Sequence, residues 1–171
     1  MYRDTKPENI GFDIHDDIKI FDFGLSKELT QDMVKDANGL YKLTGLTGTI
    51  RYMAPEVGLE EPYDEKCDVY SLSILVWEML SLKHAYANYF GTSAFQQKIF
   101  KGKKRPPLPD SWSKPISLLL HRGWDWDLSA RHSSETFSAA LRAELVRVRD
   151  GDESGLEHVR RRSTFVFRQD Q

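Results

Sequence analysis

Tyr2-Arg3-Asp4-Thr5-Lys6-Pro7-Glu8-Asn9 opens the chain, and its reading decides the fold. A carboxylate, an ammonium and a carboxamide share this one short stretch. Beyond it, Ile10-Gly11-Phe12 and Ile18-Lys19-Ile20-Phe21 read as short strands. His15-Asp16-Asp17 supplies turn chemistry between them, so a hairpin is expected. Asp22-Phe23-Gly24 closes the second strand. From Gly24 to Gly48 periodicity is poor and glycine, threonine and asparagine recur. That pattern predicts a long surface loop, and long loops in compact domains are often functional. The loop ends in Gly48-Thr49-Ile50-Arg51-Tyr52-Met53-Ala54-Pro55-Glu56.

The remainder reads as helix. Val69, Leu72, Val76, Met79 and Leu80 recur at helical spacing, predicting a helix over Asp64 to Leu82. Ile74, Leu75 and Trp77 make it apolar nearly all round, the mark of a helix buried at the centre. Thr92 to Lys101 predicts a shorter helix, with Thr92 as its cap and Gly102 as its stop. Pro115 to His121 and the amphipathic stretch Ser134 to Val148 follow, the latter with Phe137, Leu141, Leu145 and Val148 on one face. The expected class is mainly α with a small β-hairpin.

The three motifs together suit phosphoryl transfer. That reaction needs a carboxylate to orient a hydroxyl nucleophile and take its proton, a cation near the moving group, and oxygen ligands for magnesium. Asp4, Lys6 and Asn9 supply these, and Asp22 can reach a metal held by Asn9 across the hairpin. Magnesium prefers oxygen ligands and uses few carboxylates.

In order and spacing the motifs resemble the catalytic loop, the metal-binding Asp-Phe-Gly and the Ala-Pro-Glu segment of eukaryotic protein kinases. The resemblance covers 1–148 and implies the C-terminal lobe of a kinase domain. It implies ATP and Mg2+ as cofactors, with Lys6, Asn9 and Asp22 holding phosphate and metal and Asp4 as catalytic base. The Lys-Pro-Glu-Asn setting and Thr49 resemble serine/threonine kinases. Gly-Thr-x-x-Tyr-Met-Ala-Pro-Glu with Trp124 and Arg131 resembles the tyrosine-kinase-like group. Arg3 before Asp4 resembles kinases controlled by loop phosphorylation, with Thr44 and Thr47 ahead of Ser26 as candidate sites. Asp68 matches the aspartate that anchors the catalytic loop from the central helix. Glu56 and Arg131 match a buried ion pair.

Departures are Tyr2 for a usual histidine, Thr5 for leucine, Ser73 for glycine and His132 for proline. A glycine-rich phosphate loop and a Val-Ala-Ile-Lys strand do not occur in the 171 residues. The expectation is therefore a truncated lobe lacking its N-terminal partner and inactive in isolation. The other readings are an inactive lobe acting as a binding module, or a degenerate gene fragment. Expected partners are protein substrates and an upstream activating or complete kinase.

Composition excludes other classes. The chain is 40% hydrophobic and 29% charged with net charge −2, which gives no electrostatic case for nucleic acid or a membrane. The single cysteine suits a reducing compartment, and no long apolar run is present. Those features lead to a cytoplasmic expectation. Lys101 to Arg105 followed by Pro106-Pro107-Leu108-Pro109 reads as a connector or as a ligand for a proline-reading domain. Residues 149–171 read as a polar, disordered tail, with Ser163 and Thr164 after a triple arginine as candidate kinase targets.

Overall fold

The computed structural model describes residues 1–150 other than 31 and 34. The tail expected to be disordered, with Ser163 and Thr164, lies almost wholly outside the described residues. A 3-10 turn at Pro7–Asn9 leads into strand β1 (Ile10–Phe12), which pairs antiparallel with β2 (Ile18–Ile20). The register sets Ile10 opposite Ile20 and Phe12 opposite Ile18. The Asp13 carboxylate accepts the N–H groups of His15 and Asp17 and so builds the turn. The segment from Gly24 to Gly48 is loop, tied down where Tyr41 bridges to Lys35 and Tyr63.

Helix α1 (Pro55–Gly58) follows, then α2 (Lys66–Ser81). α3 (Gly91–Ala94) runs into a π-helical turn at Phe95–Phe100. α4 (Lys114–Gly123) and α5 (Ser134–Arg149) complete the described chain. α2 is central: it packs on α4 and α5, α4 packs on α5, and α1 packs on the π-helical turn. Tyr70, Ile74, Ile99, Phe100, Leu120 and Phe137 are almost wholly buried in the resulting core. Each such side chain contributes about 1.5–3 kcal/mol by leaving water.

Four local expectations differ from the structure. α2 starts at Lys66, because the Asp64 side chain accepts the Lys66 N–H at 2.9 Å and holds a turn there. The short helix starts at Gly91 behind an extended Phe90, so Thr92 lies inside it and does not cap it. Met79 is 63% exposed, because the helix turns its neighbour Glu78 inward, where its carboxylate accepts from Tyr52 Oη (2.7 Å) and Ala85 N (2.6 Å). Leu145 is 60% exposed for the same reason, with Glu144 buried against Ser113 and Arg147. A buried glutamate with every oxygen satisfied can displace an apolar neighbour from the core face. α4 and α5 are capped by Ser113 and Ser133, whose hydroxyls accept from Ile116 N and Thr136 N.

α2 and α4 touch where Gly123 faces Ser73, whose hydroxyl is already bonded to Val69 O at 2.7 Å. A methyl at 123 would overlap Ser73 Oγ and lie 2.6 Å from the Phe137 ring. Gly123→Ala is expected to lower stability by about 1–3 kcal/mol, the usual cost of overpacking, read as a lower urea midpoint. The loss should shrink in a Ser73→Gly background, which removes the atom that is met.

Candidate functional site

The site begins at the foot of α2. Asp68, in its first turn, takes the N–H of Tyr2 on one oxygen (2.7 Å) and that of Arg3 on the other (2.6 Å). Between these bonds and Asp4 the chain passes through Arg3 at φ +71°, a left-handed conformation that a side chain disfavours. Tyr2 also reaches forward: its hydroxyl donates to Phe21 O, and its ring meets Phe23 edge-on at 5.6 Å. The tyrosine that replaces the expected histidine thus spans from this loop to the end of β2.

Asp4 is buried, and four donors converge on its carboxylate. Oδ1 accepts Thr49 N (2.9 Å) and Thr49 Oγ1 (2.8 Å). Oδ2 accepts Lys6 Nζ (2.7 Å) and Asn9 Nδ2 (3.0 Å). Lys6 also donates to Thr49 Oγ1 at 3.1 Å, closing a ring of Asp4, Lys6 and Thr49. Burial alone would raise the Asp4 carboxyl. The bonds from Lys6 and Thr49, with the Lys6 charge, outweigh it and hold the group below its ordinary 3.8. Its bond to Asp4 likewise raises the Lys6 ammonium above its ordinary value. At neutral pH one is an anion and the other a cation.

Gly48 allows this closeness. It sits at φ +101°, and a Cβ there would run into the Arg3 carbonyl. Only glycine lets the end of the loop lie against Arg3 and present Thr49 to Asp4.

Asn9 is buried with its amide nitrogen shared between Asp4 O (2.9 Å) and Asp4 Oδ2. That orientation commits the amide nitrogen to Asp4 and leaves the oxygen as the atom able to ligate a cation. The Phe21 N–H donates to Asn9 O at 2.8 Å, which ties the backbone just before Asp22 to Asn9 across the hairpin. Asp22 is exposed at φ +53°, with Oδ1 accepting Gly24 N at 3.1 Å. One carboxylate and one amide oxygen are the hard donor set that suits magnesium.

The loop residues divide around Arg3. Its Nη1 donates to Thr44 Oγ1 at 3.0 Å and Tyr63 Oη at 3.2 Å, and its Nε to Leu25 O at 2.7 Å. Thr47 Oγ1 instead donates back to Thr44 O (3.1 Å). Ser26 lies against Tyr2 O at 3.4 Å. Tyr63, which no sequence signal marked, also donates to Thr44 O at 2.8 Å. Farther off, Arg131 grips Glu56 through two bonds of 2.6 and 3.0 Å, and its side chain is wholly buried. It donates as well to the carbonyls of Lys66 and Asp125.

Comparison with known proteins agrees. Residues 1–143 match the protein kinase domain family. The chain is 38% identical over 147 residues to the dual specificity protein kinase shkB of Dictyostelium discoideum, covering 85% of this chain and 22% of that protein. It is 35% identical over 133 residues to shkE of the same organism, covering 78% of this chain and 18% of that one. Against the serine/threonine-protein kinase VIK of Arabidopsis thaliana it is 36% identical over 136 residues, covering 78% of this chain and 30% of that protein. The chain therefore belongs to the eukaryotic-type protein kinase family, as a mainly helical piece with a two-stranded sheet. It spans less than a third of the length of these relatives. Members of that family use ATP and magnesium and act on proteins. Among the described residues no helix is long and apolar enough to cross a membrane.

The Asp4 network has a pH signature. The folded carboxyl titrates below the unfolded one, so its stabilisation is present above the unfolded value and is lost as pH falls through the folded value. Asp4→Asn is expected to cost about 1.5–3 kcal/mol at neutral pH, the scale of hydrogen bonds to a charged group. Urea titrations should show that gap constant down to about pH 5 and closing below about pH 4.

Proposed function

We propose that this chain is the substrate-binding and catalytic half of a protein serine/threonine kinase. The observation that carries the reading is the carboxylate of Asp4, kept anionic and aimed by Thr49, Lys6 and Asn9. In this reading Asp4 orients a serine or threonine hydroxyl and accepts its proton as the oxygen attacks the γ-phosphorus of ATP. The bond to the ADP oxygen breaks, and the phosphoryl group passes to protein. Lys6, beside Asp4 and positive, offsets charge on the moving phosphoryl oxygens. Thr49 holds Asp4 and Lys6 in register and borders the place where a hydroxyl substrate would lie.

Asn9 and Asp22 would hold magnesium, which neutralises charge on the nucleotide phosphates. The role of the chain's own residues is positional: the β1–β2 pairing sets Asp22 against Asn9, and Asn9 in turn fixes Asp4. Phe12, Ile14, Ile18 and Phe23 are exposed on the hairpin beside this site, and apolar patches of that kind mark interfaces. We assign that face to the glycine-rich, ATP-holding half of the enzyme. Glu56, Arg131 and Asp68 act as supports for the loop and the substrate floor, and residues 1–148 form the working unit. The rival reading, an inactive docking lobe, draws on the same exposed face.

In the natural protein carrying this chain, labelled phosphate from ATP is expected on serine or threonine of a protein substrate. Asp4→Asn should lower the rate by about 10²–10⁴, the scale of general-base catalysis. Asp22→Asn should lower it comparably, whereas residues 1–171 alone should transfer negligible phosphate. Unchanged incorporation in Asp4→Asn would defeat the proposal and favour the docking reading.

Arg3 makes Thr44 the preferred regulatory site, since a phosphate on Oγ1 would meet the guanidinium already bonded there. A phosphate on Thr44 is expected to raise activity and protect the loop from protease, and Arg3→Ala should abolish both effects. Equal activation of the Arg3→Ala variant would move the regulation elsewhere.

A further inference from the structure

The segment from Lys101 to Pro109 takes no part in the chemistry around Asp4. As a ligand for a proline-reading domain it would have to present a free polyproline face. The structure offers that face only in part. Pro106 is buried, and the Pro107 carbonyl accepts the Trp77 indole N–H at 2.8 Å. Pro106 thus faces inward and, with Leu108, forms a wall, while Pro107 and Pro109 stay exposed.

Against that wall lies an open pocket of about 360 Å³, lined also by Trp124 and Trp126. This is near the lower end of ligand-pocket sizes and suits one bulky side chain better than an extended ligand. Pro106, Leu108 and Trp124 supply apolar lining, while Lys103 and Arg105 supply positive charge. Asp125, the carboxylate in the lining, is engaged by Arg122 at 3.7 Å.

Among the described residues the cations here lack anionic partners. Among the described residues no carboxylate lies within ion-pair distance of Lys101, Lys103, Lys104 or Arg105. Arg105 spends its donors on the carbonyls of Trp124, Ile99 and Lys104, and its buried Nη2 finds no acceptor among the described residues. Lys103 is held over the Trp126 ring at 4.6 Å and Lys104 over Tyr89 at 5.4 Å. Lys103 reaches its place through a backbone φ of +54°, costly for a residue with a side chain. The cationic rim is thus held in place by aromatic rings and strained backbone, with no described carboxylate paired to it.

We propose that this cavity docks an acidic peptide segment of a protein partner. One bulky apolar side chain fills the space between Pro106, Leu108 and Trp124, and flanking aspartates or glutamates pair with Lys103 and Lys104. A nucleic acid fits less well, because the basic rim is short, an aspartate lines the pocket and the whole chain carries net charge −2. The cavity shares no lining residue with the Asp4 network, so a docked partner leaves that loop open. The inference stands apart from the phosphotransfer reading.

The test is calorimetric titration of the full 171-residue chain with a twelve-residue Glu/Asp-rich peptide carrying one central leucine. Saturable micromolar binding is expected, weakening as salt is added. Replacing the peptide leucine by alanine should weaken it about tenfold or more, as should Lys103→Glu with Lys104→Glu in the chain. Both lysines are exposed, and circular dichroism checks that the variant folds; Lys103→Ala with Lys104→Ala gives a second, milder version. Absence of saturable binding would overturn the proposal, as would affinity unchanged in the lysine variants. Lysine-dependent binding of an oligonucleotide or of anionic vesicles, with none of the peptide, would overturn it too.

Discussion

The Asp68 carboxylate joins the buried helix to the loop on which everything else depends. It takes two backbone N–H groups at once, from Tyr2 and Arg3, at 2.7 and 2.6 Å. Hydrogen bonds to a charged group contribute about 1.5–3 kcal/mol each. That is enough to offset the roughly 1–2 kcal/mol that a left-handed Arg3 costs. The strain is local and useful. With Arg3 turned this way, its guanidinium points toward Thr44 while the next residue, Asp4, points toward Thr49. One carboxylate on a rigid helix thereby sets two side chains of opposite charge on their separate errands.

From there the constraint passes outward through short contacts. Gly48 lies so close to the Arg3 carbonyl that no side chain fits, and this closeness delivers Thr49 to Asp4. Asn9 ties Asp4 to the hairpin, and the hairpin carries Asp22. Glu56 and Arg131 hold the segment after Thr49 against α2, through carbonyls at both sides of the pair. Such buried pairs speak for architecture more than for stability, because desolvation offsets much of their attraction.

The proline segment shows the same physics with a different outcome. Its composition looks like an exposed recognition element. The Trp77 indole nitrogen, however, is a donor on a largely buried side chain and must find an acceptor, and the Pro107 carbonyl is the one it finds. With that bond in place Pro106 is buried, and the lysines before it stay exposed. A stretch that reads as a ligand becomes one side of a pocket.

The motifs alone determined the family, because Asp4, Lys6, Asn9, Asp22 and Thr49 carry their chemistry in residue type and spacing, which no fold is needed to read. The hairpin and the central helix were equally legible, since alternation and helical periodicity are local properties. Local patterns do not report what lies across the core. Glu78 is turned inward by Tyr52, 26 residues away, and Glu144 by Ser113, 31 away. Met79 and Leu145 lost their expected seats to these glutamates. Tyr63 entered the Arg3–Thr44 network without any signal in the sequence. Only the tertiary structure decided these matters, because the satisfaction of a buried polar group depends on partners brought from distant parts of the chain.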